Sequence, residues 1–284
     1  MLSYRHAFHA GNFADVHKHS VLSVVAQHLL HKDPPFCYLD SHAAVGRYDL
    51  QSADARKNAE HRQGILRLWR QQDSAPPTVN TYLAAVQSIN PSEYADEPRF
   101  YPGSPRIVRH LLRPQDRMIL TELHPAEFLL LQQEFAADRQ VAVHRLDGYQ
   151  GIKAFLPPRE RRGLVLMDPS FERRDEPAHM VSGLQTAYNR WRQGVYLLWF
   201  PITHRSALTA FYRALEKTGI RKILGCELCV HPPVTARRLN GSAMVIINPP
   251  WQVDKSLREL QSWLAKVLAD NDEPASRVEW LIGE

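Results

Sequence analysis

At residues 165–172 the chain reads VLMDPSFE, an apolar run that delivers an aspartate, a proline, a serine and an aromatic ring to its end. These residue types suit chemistry on an amine conjugated to a base. The exocyclic amine of adenine is a weak nucleophile because its lone pair is delocalised into the ring. Two acceptors, the Asp168 carboxylate and the Pro169 carbonyl, can take its two protons and favour the pyramidal nitrogen that accepts a methyl group. Phe171 can stack on a base turned out of its helix. Asp168 need not be a strong base, since the proton can leave after transfer.

Three other apolar runs end in comparable residues. YLDSHAAVGRY brings Asp40, His42, Ala44 and Gly46 into a small-residue turn through which backbone can approach a ligand. ILTELHP ends in Glu122, an acid that can accept both hydroxyls of a ribose. RLDGYQ ends in Asp147, able to accept from an adenine amine. A turn and carboxylates at successive strand ends describe an adenosine-containing cofactor better than a metal.

These residues need a frame. Apolar runs of strand length, PFCYLD, RMILTEL, VAVHRLDG, GLVLMDPSF and VYLLWFPI, alternate with helical patterns such as HPAEFLLLQQEFA and HRSALTAFYRALEKTG, which predicts a mostly parallel sheet covered on both faces. Before the first strand, Val21, Val24, Val25 and Leu29 lie at helical spacing, with Asp15 as the expected N-cap. The last two runs, IRKILGCELCV and SAMVIINPPW, have no helix between them and should pair antiparallel, forming an edge hairpin. One stretch breaks the alternation. Residues 48–97 carry two helical patterns, around Ile65-Leu68-Trp69 and Tyr82-Val86-Ile89, and no convincing strand, as expected of a small helical insertion. It also accounts for the long interval between the first turn and Glu122.

The chain has 284 residues, of which 44% are hydrophobic, enough for one substantial core. A formal net charge of +5 suits an anionic partner without requiring one. Three cysteines, Cys37, Cys226 and Cys229, do not make a disulfide framework, and with no apolar leader or membrane-length run the chain reads as cytoplasmic. Cys226 and Cys229 lack the second pair a structural zinc needs, and His17 and His19 have no carboxylate partner at metal spacing, so no metal is expected. The arginines of RERRG and TARRLNG read as a solvated face, and INPPW as a structural turn. No G-x-G-x-x-G follows the first strand, which argues against a nicotinamide dehydrogenase. Two rivals stay open: methyl transfer to DNA adenine or protein glutamine, and a non-catalytic nucleic-acid-binding or DNA-utilisation protein on the same fold. Asparagine heads the motif of the glutamine enzymes, so Asp168 favours adenine.

The D-P-S-F stretch is similar to the Asp-Pro-Pro-Tyr/Phe signature of amino-methyltransferases. Taken with MLSYRHAFHAGNFADVHKH, YLDSHAAVGRY, YPGSP, TELHP, DGYQ and INPPW in this order, essentially the whole chain resembles the RlmJ family of 23S ribosomal RNA adenine-N6 methyltransferases. The resemblance implies a class I, Rossmann-like α/β methyltransferase domain over 1–47 and 98–284, with a helical subdomain at 48–97. It implies S-adenosyl-L-methionine as donor and an adenine of 23S ribosomal RNA, free or in a precursor, as acceptor. His19, His42 and Ser104 would line the cofactor pocket, Glu122 would hold the ribose, Asp147 and Gly148 the adenine end, and Asp168 would be catalytic beside Pro169 and Phe171. Tyr4, His6 and Lys18 match the family's N-terminal tail, residues 1–20, which would lie over the active site near the target nucleotide. Two positions depart from the pattern: Ala44 stands where the family has glycine, and Ser170 where it has a second proline.

Overall fold

A computed structural model describes residues 5–231, 239–269 and 275–283. Among the described residues ten strands and ten α-helices follow one another as β1 Cys37–Asp40, β2 Arg47–Asp49, β3 Phe100–Pro102, β4 Arg117–Thr121, β5 Val141–His144, β6 Gly163–Met167, β7 Val195–Ile202, β8 Ile223–Cys229, β9 Gly241–Ile247 and β10 Ala275–Ile282, with α1 Phe13–Leu30 in front. Helices α2 Ala53–Asn58, α3 Ile65–Trp69 and α4 Pro77–Ser88 lie between β2 and β3, and α5 Ser104–Leu111 leads into β4. Helices α6 Pro125–Glu134, α7 Gly148–Phe155, α8 Glu176–Arg190 and α9 Arg205–Glu216 follow β4, β5, β6 and β7, and α10 Val253–Leu268 separates β9 from β10.

Eight strands form one sheet in the order β10-β8-β9-β7-β6-β1-β4-β5. The pairs β7/β6, β6/β1, β1/β4 and β4/β5 are parallel, whereas β9 runs antiparallel to both β7 and β8. This is a class I methyltransferase sheet. The chain order reverses at β1, where β4 and β6 lie on opposite sides, so the crevice at the carboxyl end of β1 is where a ligand site is built in such sheets. Because side chains alternate across a strand, Tyr38, Leu164 and Leu166 join the core on one face, with α1, α5 and α10. Leu39, Val165 and Met167 join the other, with α7, α8 and α9.

Three local expectations need correction. Asn12, not Asp15, caps α1: its side chain accepts from the Asp15 N–H, and Asp15 lies inside the first turn. The β8/β9 hairpin is not the sheet edge, because β10 pairs antiparallel with β8 outside it. The β10 sequence alternates weakly and is half exposed, so it carries little hydrophobic signal. The ends of the 48–97 stretch are also strands, since β2 and β3 pair antiparallel at its base. Between them Ile65, Leu68, Val79, Tyr82 and Val86 bury their side chains in the same core as α1 and α10. That packing explains why the first fourteen residues of α1 are buried all round rather than along one stripe.

Candidate active site

The carboxyl ends of β1, β4, β5, β6 and β7 open into a cavity of about 810 Å³. It is lined by His6, Lys18, His19, His42, Ser104, Glu122, Asp147, Gly148, Asp168, Pro169 and Phe171. Residues as far apart in the chain as His6 and Phe171 thus meet at one sheet edge. Tyr4 lies outside the described residues.

The β1 turn is held by its neighbour strand. The Ala43 N–H donates to the Thr121 carbonyl (3.0 Å), and the Ala44 N–H donates to Glu122 Oε2 (2.9 Å). The His124 N–H donates to Glu122 Oε1 (2.7 Å), so this carboxylate is oriented by backbone on both oxygens. Ala44 adopts φ +50°, the left-handed conformation in which a Cβ is costly. Asp147 caps α7, accepting from the N–H groups of Tyr149 and Gln150 with Oδ1 (both 3.0 Å). The turns interlock at Gly148, where an added Cβ would meet the Ser41 carbonyl at 2.2 Å and the His42 ring at 2.7 Å. His42 is fixed through Nδ1 to Ser41 Oγ (2.8 Å), and burial lowers its pKa.

Asp40 does not line the cavity. It lies beneath, accepting from Tyr38 Oη (2.8 Å) and Ser104 Oγ (2.6 Å), and burial raises its pKa to about 6. Its work is to hold Ser104 and the start of the turn. His19 Nδ1 lies 2.7 Å from Tyr101 Oη, which pairs with Tyr82 Oη (3.1 Å), and burial keeps His19 well below its ordinary pKa.

Around Asp168 the dominant feature is Lys18. Its Nζ donates to Asp168 Oδ2 (2.6 Å) and to Asp15 Oδ1 (2.9 Å), and its side chain is only 5% exposed. Burial opposes the Lys18 charge, but the two carboxylates more than offset it and its pKa is raised. Asp15 is pushed up by burial, yet the charges of His6 and Lys18 outweigh this and hold it well below the usual carboxylate range. His6 Nε2 lies 2.8 Å from Asp15 Oδ2, so tail, helix and motif form one chain, His6–Asp15–Lys18–Asp168. Trp199, on β7, closes the wall: Lys18 Nζ lies 5.7 Å from its ring centre, and the Phe171 ring meets it edge-on at 5.5 Å. Phe171 has φ +53°, a strained backbone of the kind found at functional sites.

Sequence reasoning missed Asp15 as the anchor of Lys18, and it missed Trp199. For Asp15 the available signal was two opposite charges at i and i+3 in a helix with no other Asp, Glu, Lys or Arg. Other expectations resolve outside the cavity. Cys226 joins the core on one face of the sheet and Cys229 packs against the other, so they do not converge. Among the described residues no group of three His, Cys, Asp or Glu is arranged to hold a metal. In RERRG, Arg159 pairs with Glu160, whereas Arg162 is structural, donating to the Pro34 carbonyl (2.6 Å) and to that of Leu29. Most of TARRLNG, residues 235–238, lies outside the described residues. INPPW is a turn in which Asn248 Nδ2 donates to the carbonyls of Arg192 and Gly194 (both 2.8 Å). No helix among the described residues is long and apolar enough to cross a membrane.

Comparison with known proteins settles the family. The family model described as Ribosomal RNA large subunit methyltransferase D, RlmJ, matches residues 33–282. The chain belongs to the RlmJ family. It is 44% identical to Ribosomal RNA large subunit methyltransferase J of Escherichia coli (strain K12) and 43% identical to the protein of that name from Haemophilus influenzae, over the whole of each chain. A crystal structure of a Legionella pneumophila protein superposes with a TM-score of 0.88 at 32% identity, covering 96% of this chain and 98% of that one. RlmJ membership thus extends over the N-terminal tail and the helical stretch as well as the sheet.

Proposed function

We propose that this protein transfers a methyl group from S-adenosyl-L-methionine to N6 of an adenine in 23S ribosomal RNA. The observation that carries the reading is that Asp168 and Pro169 face the same cavity as Glu122, Asp147 and the β1 turn. The donor set fits the cofactor. Glu122 offers a carboxylate to the ribose hydroxyls, Asp147 retains an oxygen for the adenine amine, and His19, His42 and Ser104 wall the space between them. When bound there, the cofactor supplies an electrophilic methyl group that passes to nitrogen, which then releases a proton.

The chain's own residues prepare the nitrogen. Asp168 and the Pro169 carbonyl accept hydrogen bonds from the two amine N–H groups, leaving the lone pair directed at the cofactor side. Lys18 fixes Asp168 by one oxygen, which leaves the other to accept. Asp168 acts here as a hydrogen-bond acceptor, and the proton is lost after transfer. Phe171 and Trp199 exclude water and flank the base. The names of the relatives support ribosomal RNA as the substrate class, and the net charge of +5 agrees with a polyanion.

The test is tritiated methyl incorporation into 23S ribosomal RNA, free or in precursor particles, and into duplex DNA, with titration calorimetry of the cofactor. Transfer to RNA in excess of DNA, located at adenine N6 by mass spectrometry and lost in Asp168→Ala, is the expected result. Equal or greater transfer to DNA overturns the RNA reading, and cofactor affinity no better than millimolar, unchanged by Glu122→Ala, overturns the cofactor site.

A further inference from the structure

The helical stretch between β2 and β3 touches the N-terminal tail at several independent points. Glu60 Oε2 accepts from Asn12 Nδ2 (3.0 Å), and His9 Nδ1 lies 3.0 Å from both Glu60 oxygens. The Ile65 N–H donates to the Gly11 carbonyl (2.8 Å). Gly64 sits so close that an added Cβ would fall 2.0 Å from that carbonyl and 2.5 Å from Asn12 C. Further out, Arg5 pairs with Asp54 (2.8 Å), and Lys57 and Arg5 flank the Phe8 ring at 5.4 and 5.9 Å.

Asn12 is the junction. Its amide has two ends with two tasks: Oδ1 accepts from the Asp15 N–H (2.9 Å) and caps α1, while Nδ2 is held by Glu60. The first turn of α1 carries Asp15 and, one turn on, Lys18, the cation that fixes Asp168. Gly11 also donates its N–H to Asp15 Oδ2 (2.9 Å), so the backbone that the helical stretch grips is itself bonded to the anchor of Lys18.

We propose that this helical stretch is a clamp on the tail and that Glu60 is a positioning residue for methyl transfer. Glu60 fixes the Asn12 amide and His9, these fix the entry of α1, and the entry of α1 sets Lys18 against Asp168. Glu60 does not line the cavity, so it acts through other residues and touches neither substrate nor cofactor. The link to catalysis rests on the reading of Asp168 given above, whereas the clamp itself does not.

The experiment compares wild type, Glu60→Ala and Glu60→Gln. Hydrogen exchange over residues 6–18 reads the clamp directly, and single-turnover methylation of 23S ribosomal RNA with cofactor calorimetry reads its consequence. Glu60→Ala should speed exchange in that segment and lower the transfer rate about tenfold or more, because small displacements of a positioned group cost that much. Cofactor affinity should stay within about twofold, a split that general loss of folding would not produce. Glu60→Gln, which keeps an acceptor for Asn12, should restore the rate to within about threefold of wild type. Unchanged exchange in Glu60→Ala overturns the clamp. Faster exchange with an unchanged rate overturns the positioning role. If wild type itself transfers no methyl to any RNA, the functional reading has failed, and the exchange data still decide the clamp.

Discussion

Ala44 shows how one residue can be legible as a departure yet need a structure to be weighed. Alanine in place of glycine costs little at negative φ and more at positive φ, and the observed +50° settles which applies. A left-handed alanine costs about 1–2 kcal/mol, and the greater freedom glycine has in the unfolded chain returns about 0.5–1 kcal/mol of that. Ala44→Gly should therefore stabilise the protein by roughly 0.5–1 kcal/mol, since the alanine methyl makes only partly buried contacts. Urea denaturation of the two proteins checks this, and a destabilised glycine variant would show that those contacts outweigh the backbone strain. The residues of the motif itself were legible because strand ends concentrate chemistry. Lys18 was legible only through family resemblance, and its bond to Asp168 was not, because a contact spanning 150 positions leaves no local signal. The role of Asp40 was not legible for a related reason: a strand-end acid looks the same in sequence whether it supports a site or lines it, and only burial separates the two.

Among elements, the helices and parallel strands were read correctly wherever apolar periodicity was strong, and misread where it was weak. The β10 strand carries charges at Arg277 and Glu279 on an exposed edge, so no run of apolar residues announces it. The β2/β3 pair is only three residues long on each side, too short to show a period in the sequence. Of the contacts between elements, the antiparallel β8/β9 pairing was legible, whereas close approaches between turns were not, and Gly148 is the clearest case. Its lack of a side chain lets the start of α7 press on the turn after β1, which joins the two ends of the proposed cofactor site. Gly148→Ala should part these turns, destabilising the protein by about 1–3 kcal/mol as overpacking does. Cofactor affinity should fall at least about tenfold, because Asp147 and the β1 turn would no longer face one ligand at the spacing it requires. Calorimetry on the folded variant checks the second figure, and an unchanged affinity would place the cofactor away from this junction.

At the scale of the whole molecule, the fold buries ionisable groups that respond to pH in a defined direction. His17 is fully buried between Ser242 (2.8 Å) and Gln261 (2.6 Å), and burial lowers its pKa from 6.5 to about 3. His19 is shifted the same way. Below pH 6.5 the unfolded chain binds protons at these positions that the folded chain does not, so stability falls as pH falls. Each such histidine contributes a slope of about 1.4 kcal/mol per pH unit while its folded form stays neutral. Asp40 acts in the opposite sense. With its pKa raised from 3.8 to about 6, the folded form holds the extra proton between those values, so falling pH below 6 restores stability there. One acid offsets about one histidine, and the net change from pH 6.5 to 5 should still be a loss. The carboxylates paired with cations, Asp15 and Glu60 among them, have lowered pKa values and contribute their own losses only nearer their ordinary range. Urea denaturation between pH 6.5 and 5 should therefore show declining stability in wild type and a shallower decline in His17→Gln, whose amide can still meet Ser242 and Gln261. A flat or rising wild-type profile over that interval would mean that His17 and His19 take up protons in the folded state.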